Sequence, residues 1–154
     1  MEGLGVDPAG PVNDGEVLRR QLIESYVAAR DYLDGAIADL QPETACGGWT
    51  VIEIAAHIAA WEHYSAEWMS SSSLGEPEPP VDVDEMNALA AATARSAPAA
   101  QSLGAYVASR QLFVDCLKGL PPGALVISQV RDHVAMETEH CFEHGRELRA
   151  LKGA

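Results

Sequence analysis

Residues 48–61, Gly48-Trp49-Thr50-Val51-Ile52-Glu53-Ile54-Ala55-Ala56-His57-Ile58-Ala59-Ala60-Trp61, decide how this chain is read. Thr50 stands three positions before Glu53, the spacing of a capping box, in which each side chain satisfies the other residue's free backbone N–H. Val51, Ile54, Ala55, Ile58 and Trp61 follow at helical intervals, and Trp68 continues the line. A helix is therefore expected from Val51. It carries His57 on its apolar side.

Outward from this stretch the same logic gives three more helical segments. From Glu16 an apolar line steps through Leu18, Leu22, Tyr26, Ala29, Leu33, Ile37 and Leu40. Gln41-Pro42 ends it, because the residue before proline avoids helical backbone. Beyond Trp68, residues Ser70–Ser73 and Gly75-Glu76-Pro77-Glu78-Pro79-Pro80 form a loop. Asp84 is the expected cap of a third helix through Arg95, broken at Ser96-Ala97-Pro98 and restarted there, since proline fits a helix's first turn. The restarted part carries Leu103, Tyr106, Val107, Phe113, Val114 and Leu117 and closes at Gly119 and Pro121-Pro122. The last helix is expected from Ser128 to Leu151, with Arg146, Arg149 and Lys152 complementing the negative end of its dipole. No run alternates with period two, so strands are not expected. The predicted fold is all-α: a four-helix bundle with a broken third helix, spanning 15–154 as one domain behind a loose Gly-, Pro- and Asp-rich arm at 1–14.

The chain of 154 residues holds 10 basic and 23 acidic ones, a net charge of −13 with histidine neutral. Neutralising phosphates requires clustered Lys and Arg, so neither nucleic acid nor an anionic membrane surface is an expected partner. The longest stretch free of charge, Ser96–Ser109, contains Pro98 and Gly104 and falls short of the roughly 20 apolar residues of a membrane span. Glu2 and Asp7 stand where a signal peptide carries Lys or Arg, and Cys46, Cys116 and Cys141 form no CxxC pair. A cytoplasmic location is expected.

All five histidines fall in the second and last helices. With His133 set at zero, Glu137 lies near +40°, His140 near −20° and His144 near +20° around the last helix. Val130, Cys141, Leu148 and Leu151 lie on or beside this stripe, which turns it toward the interior. His140 and His144, one turn apart, have β-carbons about 6 Å from each other and can share a metal at about 2.1 Å. His57 is the candidate third ligand. His63, about 240° round from it, points elsewhere. Three neutral imidazoles buried without a shared partner would lose hydrogen bonds that a metal replaces.

The run Gly48–Glu62 resembles the second helix of the DinB-like (YfiT-like) metalloenzyme superfamily, and His140-Cys141-Phe142-Glu143-His144 with Leu148 resembles its last. Asp84-Glu85-Met86-Asn87, the Ser96 restart and Leu120-Pro121-Pro122 are similar to the third-helix region of the damage-inducible DfsB-type branch, some of whose members lack a complete histidine triad. The resemblance implies an up-down-down-up topology and, as in many members, a divalent metal on three histidines, matched here by His57, His140 and His144. His133 lies outside that pattern; it, Glu137 and Glu53 are candidates for supporting partners or an extra ligand. Thiol-dependent transferases among the relatives imply thiol chemistry.

Three neutral ligands leave the ion its full charge and an open position, where a water's pKa falls toward about 7 or a thiol is held as thiolate. The expected function is a metal-dependent thiol S-transferase or hydrolase acting on a small electrophile. Zinc or nickel is the expected ion, with iron, manganese or copper as alternatives. Glu137 is the candidate catalytic base, while Glu53 and Glu143 read more simply as capping or solvated carboxylates. Trp61, Tyr106 and Arg110, with Trp49, are candidates for a substrate pocket, Arg110 for an anionic group, although the aromatic residues read more simply as core and Arg110 as a snorkelling or ion-paired side chain. Cys141 reads as a buried thiol rather than a nucleophile. The alternative is a non-catalytic metal- or ligand-binding bundle, a homodimer formed through an exposed Phe142 nearly opposite the histidine stripe.

Overall fold

Helix α1 (Asp14–Ala38) buries Tyr26, Ala29, Leu33 and Ile37, four members of the apolar line that predicts it. The computed structural model describes residues 14–152, so all but the last residue of the expected arm at 1–14 lies outside the described residues, and that last residue, Asp14, is already helical. Two short strands depart from the strand-free expectation: Ala45–Cys46 (β1) and Trp49–Thr50 (β2) pair antiparallel around Gly47-Gly48. Gly47 has φ +61°, a left-handed backbone that a β-carbon disfavours. Strands of two residues are too short to show an alternating pattern; the Gly-Gly pair was their only local signal.

The hairpin delivers the chain into α2 (Val51–Met69). Its capping box forms as the spacing predicts: the Glu53 N–H donates to Thr50 Oγ1 at 3.3 Å and the Thr50 N–H to Glu53 Oε2 at 3.2 Å. Helix α3 (Val83–Ser96) is capped by Asp82 rather than Asp84; Asp82 Oδ1 accepts from the Glu85 N–H at 3.0 Å. Asp84 instead sits in the first turn, where its charge complements the helix dipole. Ala97, with φ −116° and ψ 155°, is extended as a residue before proline must be, and α4 (Ala99–Gly119) restarts after Pro98. The expected broken helix is thus two helices. A single proline-led turn, α5 (Pro122–Leu125), precedes α6 (Ser128–Lys152).

Helix α2 is central, packing against α3, α4 and α6, while α1 lies along α6 and also touches α4 and α5. The core is built from Tyr26, Leu33, Ile54, Ile58, Phe113, Leu117, Leu125 and Leu148. Gly145 sets the close approach of α6 to α1, since a β-carbon there would lie 2.5 Å from the Tyr32 ring. Arg19 joins α1 to the end of α4, donating to the carbonyls of Leu117 at 2.6 Å and Leu120 at 2.7 Å. These are carbonyls that a helix C-terminus leaves without intrahelical partners.

Most of the expected line of α4 is buried, Val114 included, and Val107 is the exception. Ser102, Tyr106, Ser109, Phe113 and Leu117 turn inward, whereas Val107 is exposed. Two serines disguise this face as polar in the sequence. Phe142 also differs from expectation: it is half-buried against Tyr32, ring centroids 5.5 Å apart, and is not a free surface aromatic. At the end of α6, Arg146 also pairs with Glu139 at 2.9 Å and Arg149 stacks on the Tyr32 ring. The Lys152 side chain lies outside the described residues.

Candidate metal centre

The apolar stripe of α2 faces the histidine stripe of α6, and this brings residues 83 and more positions apart in the sequence into contact. His57 Nε2 lies 2.6 Å from His140 Nε2, which lies 3.1 Å from His144 Nε2. All three nitrogens fall within 4.8 Å of one another, forming a group among the described residues with the donor set to hold a metal ion. Donors around a tetrahedral ion at about 2.1 Å stand about 3.4 Å apart, so the rings need to open by less than about 1 Å to admit one. The donor set fits a divalent ion.

Electrostatics favour the ligating form. Burial first, then the neighbouring His140 and His144, push the His57 imidazole down to about 3, with the adjacent Asn87 opposing the shift. His57 Nδ1 itself makes no hydrogen bond of normal geometry. His144 is lowered by burial and by His140. Its Nδ1 faces Glu147 Oε2 at 3.0 Å; a Nδ1–H donated there leaves the Nε2 lone pair free to ligate. Glu147 escaped the sequence reading, although its i,i+3 spacing from His144 was the available signal.

A pocket of about 550 Å³ opens over the three rings, walled by Trp49, Trp61, Asn87, Met136 and Glu137. The Trp49 ring lies 4.7 Å from that of His57, and Trp61 Nε1 donates to Asn87 Oδ1 at 2.8 Å, fastening α3 to the pocket wall. A larger cavity of about 720 Å³, between α2, α3 and α4, is lined mainly by alanines and contains none of the cluster.

Several candidates stand apart from the three rings. Tyr106 is buried under the Arg30 guanidinium, 3.6 Å from its ring centroid, and donates to Asp34. Arg110 is tied to Asp31 and Asp34 of α1, both at 2.7 Å; neither Tyr106 nor Arg110 lines the pocket. Tyr106 is thus a core residue and Arg110 an ion-paired one. Glu53 is spent on the cap and on Arg95 at 2.9 Å. His63 pairs with Glu67 at the surface. Cys141 is fully buried, and burial raises its thiol far above the range of a reactive thiolate.

His133 belongs to a second buried polar chain. Its Nδ1 lies 2.9 Å from Ser65 Oγ, which donates to Glu137 Oε1 at 2.9 Å, while its Nε2 meets Glu78. Ser65 is fully buried and lines neither of the two cavities, so it is no accessible nucleophile. The chain fixes Glu137 by one oxygen. The other, Oε2, is buried without a hydrogen-bond partner, 4.0 Å from His140 Nδ1.

An all-α protein with a three-imidazole centre between two of its helices is the class that fold and site define. A model of the DinB superfamily matches residues 21–148, and the chain belongs to that superfamily. No curated protein and no solved structure gives a significant match. Among the described residues no helix is long and apolar enough to cross a membrane.

Proposed function

We propose that this chain binds one divalent ion, zinc or nickel foremost, on His57, His140 and His144, and transfers a low-molecular-weight thiol to a small electrophile or hydrolyses it. The convergence of three Nε2 atoms from α2 and α6 at the floor of an open pocket carries this reading. The up-down-down-up order and membership of the DfsB-type branch belong to the same proposal, the order being consistent with α1 lying along α6 and α2 along α4. When bound, the ion supplies a Lewis acid that favours thiolate over thiol or acidifies a water. Around it, Glu147 orients His144, while Trp49 and Trp61 wall the pocket and limit solvent. Metal analysis of the purified protein, followed by thiol-consumption assays against small electrophiles with and without chelator, tests the proposal. Stoichiometric metal with chelator-sensitive thiol transfer or hydrolysis supports it. Bound metal with no turnover of either kind favours a metal-storing bundle instead.

A further inference from the structure

The charges that line the histidine pocket are of one sign. Glu137, Glu139 and Glu143 line it, and no Lys or Arg does. Glu139 is neutralised by Arg146 at 2.9 Å, which leaves Glu137 and Glu143, with Glu147 behind His144. Against the two charges that a divalent ion brings to three neutral imidazoles, these carboxylates set three negative ones. Arg110, the residue suited to an anionic substrate, is held elsewhere by two aspartates.

The second observation is the free oxygen of Glu137. A fully buried carboxylate with one unpartnered oxygen is costly, since the oxygen has lost its water and gained no donor in exchange. The Ser65–His133–Glu78 chain holds its other oxygen in place. At 4.0 Å, His140 Nδ1 is too distant to satisfy Oε2 by hydrogen bonding. The oxygen thus waits, immobilised, for a donor that enters the pocket. Trp49 and Trp61 on the same walls offer π faces, which attract cations.

Resting on the metal reading above, we propose that the thiol or electrophile this pocket takes carries a protonated amine, bound by Glu137 with support from Glu143, and that anionic small molecules are disfavoured. This assigns Glu137 to recognition in place of the base suggested by the sequence.

The test uses the full chain loaded with cobalt(II) and three probe thiols: cysteamine (cationic), 2-mercaptoethanol (neutral) and 3-mercaptopropionate (anionic). Each is titrated by its sulfur-to-cobalt absorption at neutral pH. Because the thiols differ in intrinsic acidity, the quantity read is the cysteamine to 3-mercaptopropionate affinity ratio relative to the variants. Glu137→Gln is expected to lower that ratio about tenfold. Glu143→Gln, on an exposed side chain that leaves the fold intact, is expected to lower it about twofold, with the effect fading in high salt. A ratio unchanged in both variants overturns the proposal. So does a Glu137→Gln chain that keeps its ratio but binds cobalt more weakly, which makes Glu137 a partner of His140 instead. If cobalt gives no absorption before any thiol is added, the metal reading itself fails, an outcome distinct from loss of selectivity.

Discussion

The Arg30–Glu62 pair and the His57–His140–His144 cluster both place polar side chains inside the same bundle, and they satisfy them in opposite ways. Glu62 is completely buried, yet it accepts from Tyr26, from Ser109 at 2.7 Å and from Arg30 at 3.0 Å, so α1, α2 and α4 are joined by a network that satisfies both oxygens of this carboxylate from within the chain. Burial lifts the Glu62 carboxyl, and Arg30 with the two hydroxyl donors works against that rise. The histidine cluster does not close: its three Nε2 atoms face one another, and neutral imidazoles cannot all donate into the same point. A self-satisfied polar network is architecture. One whose lone pairs converge is complete only with something from outside.

The comparison breaks most visibly at Glu62. Glu62→Gln leaves the buried Arg30 with only the partly exposed Asp34, 3.1 Å from its Nε, as counter-charge, and chemical denaturation is expected to show a loss of about 3 kcal/mol, whereas replacing both Arg30 and Glu62 by Met is expected to cost much less. Excess zinc, by contrast, should stabilise the wild type, by about 2.7 kcal/mol at one hundred times its Kd, and leave His57→Ala unmoved in the same denaturation experiment.

Protons sharpen the contrast further. His57 titrates at about 3 when folded against 6.5 when unfolded, so between those values the unfolded chain holds the extra proton. Stability of the metal-free protein therefore falls as the pH drops from about 6.5 toward 3, by at most about 5 kcal/mol from this residue. A His57→Gln chain with an undiminished slope would contradict that assignment. The smallest effect is expected at Thr50→Ala, which removes half of the capping box beneath His57 and should cost about 1 kcal/mol in thermal unfolding while metal affinity is retained.

What the sequence revealed is what local rules govern. The Thr50–Glu53 box, the Ala97-Pro98 break and the one-turn spacing of His140 and His144 depend on neighbours within a few residues. His57 was placed by its position on an apolar helical face. The misreadings arise where a side chain's partner lies far along the chain. Ser109 turns inward and donates to Glu62, Tyr106 packs under Arg30 and Arg110 pairs with Asp31 and Asp34, so none of the three lines the histidine pocket. His133 shares a stripe with the other two histidines of α6 but lies two turns from His140, and Ser65 and Glu78 engage it first. No local pattern predicts either partner.

The most direct measurement is a zinc titration of the full chain by calorimetry, run in parallel on His140→Ala, with circular dichroism to verify that the variant remains helical. One ion bound per wild-type chain and none by the folded variant is the expected result. Wild-type protein that takes up no ion, or a variant that binds as well as its parent, would contradict the three-imidazole centre.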